Sequence, residues 1–167
     1  MPKVIQEDVD LRSLHLDRLP DFLEDVIVKG EFYCTNNSLT SLEGAPMEVG
    51  GHFYCSNNSL TSLEGAPKKV GGHFFCSNNS LTSLEGAPEK VGGSFYCYNN
   101  SLTSLEGAPK KVGRDFYCDH NSLTSLEGLP KEIGGNLWIS FAKGIYFTEE
   151  EIRKVSKIKG KVYISEA

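Results

Sequence analysis

From Phe32 onward the chain repeats one arrangement of apolar and polar positions every 21 residues. The unit reads FYCTNNSLTSLEGAPMEVGGH and returns almost unchanged at Phe53, Phe74, Phe95 and Phe116. Within it, Phe-Tyr-Cys-Ser alternates as a half-buried strand does. Phe53 and Cys55 share one face, and His52, Tyr54 and Ser56 share the other. Leu60 and Leu63 follow as inward positions along a turn. Gly65-Ala66-Pro67 then excludes a helical return, because Pro and the surrounding turn residues cannot sustain one. One such coil cannot bury its apolar side, whereas stacked coils can. The pattern predicts a repeat solenoid, mostly β, with one parallel sheet.

The ends depart from the unit. Leu11 to Lys29 keeps leucines and one proline but lacks the asparagines. An altered unit begins at Leu137 (LWIS), and a strand-like segment begins at Val162 (VYIS). Between them, Thr148-Glu149-Glu150-Glu151 fits a capping box, and Ile152, Val155 and Ile158 recur at helical spacing. This predicts a short C-terminal helix near 149–157, stopped by Gly160, with a terminal strand after it. A single domain is expected. Residues 1–31 form an N-terminal cap or degenerate repeat, 32–136 five repeats, and 137–167 a C-terminal cap.

The unit resembles the leucine-rich repeat, L-x-x-L-x-L-x-x-N/C-x-L. Phe53, Cys55, Asn58 and Leu60 fill its second to fifth marked positions, while Gly50 stands at the first. The 21-residue length is similar to short repeats of bacterial type, and the LTSLEGAP and VGG wording to repeats of bacterial and phage proteins. The resemblance implies a parallel sheet on the concave face of the solenoid, with ligand binding there.

Residues one period apart should stack about one strand spacing apart, ~4.8 Å. Each column therefore reads as a unit. Asn37, Asn58, Asn79, Asn100 and Asn121 are expected to satisfy turn backbone, since an amide both donates and accepts. Cys34, Cys55, Cys76, Cys97 and Cys118 are expected to be small core thiols. Their number is odd and they form no Cys-x-x-Cys pair, so no metal is expected. Glu43, Glu64, Glu85, Glu106 and Glu127 form a solvated ridge, with Lys68, Lys69, Lys90, Lys110, Lys111 and Lys131 nearby to offset it.

The aromatic column is Tyr33, Tyr54, Phe75, Tyr96, Tyr117, Trp138 and Tyr163. Alternation places it opposite the core face, where the interior makes no claim on it. Exceptions to the repeat gather late in the array. Ser56 and Ser77 give way to Tyr98 and Asp119, His52 and His73 to Ser94, Asp115 and Asn136. His120 replaces an asparagine, and Phe141 follows one coil later. Tyr54, Phe75, Tyr96, Tyr98, Tyr117, Asp119, His120 and Trp138, with Phe141 at the rim, are the candidate partner-binding residues. Cross-strand packing of the rings on one another is the competing explanation.

The net charge of -5 offers no basic footprint for a phosphate backbone. No N-terminal signal pattern and no stretch of about 18 apolar residues is present. A cytoplasmic protein, bacterial or in the host cytoplasm if phage-encoded, is the expectation. No nucleophile elbow, phosphate loop or metal motif appears, so neither an enzyme nor a cofactor is expected. Asp119 and His120 are neighbours whose side chains should point oppositely. The leading reading is a protein-binding scaffold, plausibly an inhibitor or regulator of a larger protein. The alternatives are a nucleic-acid or nucleotide binder that stacks bases on the rings, or an acidic-ridge nucleic-acid mimic. A homodimer through the C-terminal edge strand is a further expectation.

Overall fold

A computed structural model describes residues 1–166. The chain winds into a parallel β-solenoid with two sheets of eight strands each. Sheet II carries the strands read from the sequence: Val9–Asp10, Phe32–Tyr33, Phe53–Tyr54, Phe74–Phe75, Phe95–Tyr96, Phe116–Leu123, Leu137–Phe141 and Val162–Glu166. Its register is unshifted at the start of each strand, so Phe32, Phe53, Phe74, Phe95 and Phe116 lie directly opposite one another; the one irregularity falls between Cys118 and Leu123 against Leu137–Phe141. Their rings are fully buried and stack 5.1–5.5 Å apart. Each buried ring contributes on the order of 2–3 kcal/mol, which no single coil could collect alone.

The sheet count differs from the expectation of one. Sheet I is built from Lys3–Ile5, Val26–Val28, Glu48–Val49, Lys69–Val70, Lys90–Val91, Lys111–Val112, Glu132–Ile133 and Lys157–Ile158. Six of these strands are two residues long, and four of the six run straight into Gly-Gly, which reads as punctuation rather than as strand. The valine supplies the anchor: Val49, Val70, Val91, Val112 and Ile133 are buried. The glycines are there because the coils approach closely. A Cβ on Gly92 would collide with the carbonyl oxygen of Gly71, one coil earlier. Gly86 serves differently, holding φ at 89° to turn the chain after Leu84.

The asparagine column closes the bend after sheet II. Asn79 donates from Nδ2 to the carbonyls of Cys76 in its own coil and Cys55 in the one before, both at 3.1 Å. Its Oδ1 accepts from the Leu60 N–H at 3.0 Å. Asn58, Asn100 and Asn121 repeat the set. The residue before each one, Asn36, Asn57, Asn78, Asn99 or His120, holds a φ of 51–56°. Asn and His tolerate this left-handed conformation better than branched residues do.

The C-terminal helix spans Glu149–Val155, with Ile152 buried. Its capping box is complete: the Glu151 N–H donates to Thr148 Oγ1 at 3.2 Å, and the Thr148 N–H to Glu151 Oε2 at 2.7 Å. The chain then re-enters sheet I at Lys157–Ile158, so the helix stops before 157.

The two adjacent asparagines give a paired test. Asn79→Ala strands one N–H and two carbonyls, and should cost about 3 kcal/mol or more. Asn78→Gly keeps the left-handed backbone and should be close to neutral, within about 0.5 kcal/mol. Urea denaturation of the two variants measures both.

Candidate binding face

The aromatic column lies on the outer side of sheet II as one unbroken pile. From Tyr33 through Tyr54, Phe75, Tyr96, Tyr117 and Trp138 to Tyr163, successive centroids are 4.2–4.7 Å apart and the planes within 16° of parallel. Unshifted register produces this, because each ring sits on its own equivalent one coil away. At the N-terminal end the pile is closed by Arg12, whose guanidinium lies 4.4 Å from the Tyr33 ring centre. Arg12 is held there by Asp10, through Nε at 2.9 Å and Nη2 at 2.6 Å.

Such stacking decides what the stripe can offer. The faces of the internal rings are covered by their neighbours, so the surface consists of ring edges and hydroxyls. The rings between Tyr33 and Trp138 are all half-buried. Hydroxyls remain donors at neutral pH. A hydrogen bond to Glu31 pushes the Tyr33 phenol up to about 12. Burial raises Tyr54 and Tyr117, the latter with help from Asp115.

Beside the rings runs a second polar ladder that column reading missed. His73 N–H donates to His52 Nδ1 at 2.7 Å, and Ser94 N–H to His73 Nδ1 at 2.8 Å. Asp115 N–H donates to Ser94 Oγ at 3.2 Å, Asn136 N–H to Asp115 Oδ1 at 2.7 Å, and Lys161 N–H to Asn136 Oδ1 at 2.8 Å. Asp8 Oδ1 does the same for Glu31 N–H at 2.8 Å. His, Ser, Asp and Asn are interchangeable here because each places an acceptor over the next coil's N–H. These substitutions therefore follow backbone accounting and need no partner to explain them.

The remaining candidates divide. Tyr98 and Asp119 are half-buried on the same outer face, and His120 is exposed. Asp119 and His120 do not point apart: His120 Nδ1 lies 2.7 Å from Asp119 Oδ2. The left-handed backbone at His120 breaks the alternation that would have separated them. Phe141, placed at the rim of the patch by the sequence, is instead buried at 2 % exposure, its ring 5.0 Å from Phe147. Alternation along the unbroken strand Leu137–Phe141 sets it on the same side as Leu137 and Ile139. Among the described residues no cluster of three or more His, Cys, Asp or Glu could hold a metal ion.

The five cysteines are free and fully buried. Cys34, Cys55, Cys76 and Cys118 direct Sγ at the carbonyl oxygen of the next coil, 3.2–3.3 Å away. Burial pushes every thiol of the column well up. A thiolate nucleophile is thereby suppressed.

The far side of the molecule is polar. Glu43, Glu64, Glu85, Glu106 and Glu127 are exposed along the Gly-Ala-Pro arc. Lys69, Lys110 and Lys111 pair with Glu48, Glu89 and Glu132 rather than with this ridge, at 2.9–3.9 Å. Two open grooves follow the same arc, one of 600 Å³ by Glu43 and Ala66, the other of 690 Å³ by Ala108 and Val155. Neither touches the rings. No helix of the described residues is long and apolar enough to cross a membrane. The chain matches no family model and, at the significance required, no curated protein.

Two measurements follow. Burial, His52 and Arg114 hold the His73 imidazole below its ordinary value, against an opposing pull from Asp115. The unfolded chain therefore takes up a proton as the pH drops below about 6.5, while the folded chain takes it up only at lower pH. Stability present above that pH is lost as the pH falls through the folded value. His73→Ser, which keeps an acceptor as Ser94 does, should flatten the change in urea midpoint between about pH 7.5 and 5. Secondly, a thiol reagent should label none of the five cysteines rapidly in the native protein and all five in denaturant; fast native labelling would contradict the buried column.

Proposed function

We propose that the chain is a non-enzymatic protein-binding scaffold whose docking surface is the outer side of sheet II. The observation that supports this is the ring pile itself. Cohesion of the coils is already served by the buried phenylalanines, valines, leucines and asparagines. Rings at Tyr54, Phe75, Tyr96, Tyr117 and Trp138 are additional, and they form a continuous, rigid, amphipathic strip. A row of seven rings approaches the ~300–600 Å² typical of a monomer's largest apolar patch, which is often functional. Side chains locked by their neighbours lose little entropy on contact, so more of the buried area appears as affinity. Tyr98, Asp119 and His120 give the late coils a distinct polar border, which favours contact there.

A partner protein fits this surface better than a nucleic acid. Base stacking needs free ring faces, and the internal faces are occupied. The net charge of -5 opposes phosphates as well. The repeat's likeness to leucine-rich repeats of bacterial or phage type suggests an intracellular regulator or inhibitor of a larger protein, in a bacterial or infected-host cytoplasm.

The test begins with capture from bacterial lysate on the immobilised chain, followed by affinity measurements with the isolated partner. Tyr117→Ala and Trp138→Ala should each weaken binding by about 2 kcal/mol, while Glu85→Ala and Glu106→Ala leave it unchanged. The opposite pattern would move the site to the acidic arc. A labelled single-stranded oligonucleotide should not bind.

A further inference from the structure

We propose that copies of this chain join head to tail, the C-terminal end of one continuing both sheets into the N-terminal end of the next. The distribution of exposed apolar side chains is the first reason. Val4, Leu14 and Phe22 stand out at one end, and Tyr146, Tyr163 and Ile164 at the other, each at least 42 % exposed. Apart from Val155, which borders the arc groove beside Ala108, the large apolar side chains left exposed among the described residues all lie before Leu23 or after Phe141. Apolar surface is thus concentrated where another coil would cover it.

The second reason is geometric. Sheet I and sheet II anchors are four residues apart in every repeat, as in Val70 and Phe74. The same spacing separates Ile5 from Val9 at one end and Ile158 from Val162 at the other. Both strand edges can therefore be extended at once, without a shift in register. A twofold pairing of the C-terminal edges would satisfy one sheet's edge and misalign the other.

The third reason is the match of side chains in that register. Continuing the ladder sets Ile158 opposite Ile5, Val162 opposite Val9 and Ile164 opposite Leu11. Lys161 falls opposite Asp8, and Lys157 and Lys159 fall opposite Val4 and Gln6. No two like charges face each other. The ring pile continues as well. Tyr163 ends it with an outward face that no ring covers, and Arg12, half-exposed over Tyr33, has its second face free. The joint would sandwich the Arg12 guanidinium between Tyr163 of one copy and Tyr33 of the next. Such a contact is heterologous and leaves an open end after each addition, so it yields chains of several copies rather than closed dimers.

End-blocked variants test this. Val4→Lys places a cation against Lys157 at the joint, and Ile164→Lys places one against Leu11 and Arg12. Wild-type mass by light scattering should rise past the dimer as concentration increases. Each variant alone should stay monomeric, while a one-to-one mixture should form a dimer and stop there, because each supplies the end the other lacks. Thermal melts of the two variants should match wild type, showing that the effect lies at the joint. A wild type that stays monomeric at millimolar concentration overturns the proposal. So does a Val4→Lys variant that dimerises by itself, since that would show the C-terminal edges pairing with each other.

Discussion

Every coil of this molecule must rest on a copy of itself one strand spacing away, ~4.8 Å. That constraint selects what each column can hold. A charge repeated at that distance inside would repel itself in low dielectric, so the interior columns are Phe, Leu, Val and Cys. A polar group can be repeated inside only if it is self-complementary. Asparagine qualifies because its Nδ2 donates to its own coil and to the preceding one, while its Oδ1 accepts from that same preceding coil. Aromatic rings qualify because flat faces stack. Glutamate can recur only outside, along the Gly-Ala-Pro arc, where water screens one carboxylate from the next.

The same constraint explains which parts of the fold could be read beforehand. The Phe-x-Cys alternation and the 21-residue period identified sheet II, its register and the ring column. The capping box at Thr148 located the helix to within two residues of its end. Sheet I was hidden because its strands are two residues long and abut glycines that a local reading assigns to a turn. Only the tight approach of successive coils shows those glycines to be packing positions. Arg114 stands where other coils place the second glycine, and Lys29 and Lys159 stand where they place the first, so neither position is closed to a side chain in every coil.

The candidate surface was legible in its rings and less so in its surroundings. His52, His73, Ser94, Asp115 and Asn136 look like drift when compared by size or charge. Compared by hydrogen-bond acceptance they are one residue type. Phe141 follows the repeat in number but not in direction, since it lies in a regular strand with Leu137 and Ile139, whereas the equivalent residue of earlier coils is left-handed. Asp119 and His120 meet because residue 120 is left-handed, a conformation that the asparagines at the equivalent positions favour but that strict alternation leaves out.

Register without offset has a consequence for the length of the molecule. The lower and upper surfaces of every internal coil present the same columns, so a coil is interchangeable with the joint it fills. Excising residues 74–94 would bring Phe95 onto Phe53, Tyr96 onto Tyr54, Cys97 onto Cys55 and Asn100 onto Asn58. His52 Nδ1 would keep the His73 N–H, and His73 Nδ1 would accept from the Asp115 N–H in place of that of Ser94, an equivalent donor. Gain or loss of a whole coil thus lengthens or shortens the ring strip by one step of ~4.8 Å without disturbing a single internal partner. The reach of the surface is consequently quantised, and duplication of a 21-residue coding unit can adjust it one ring at a time.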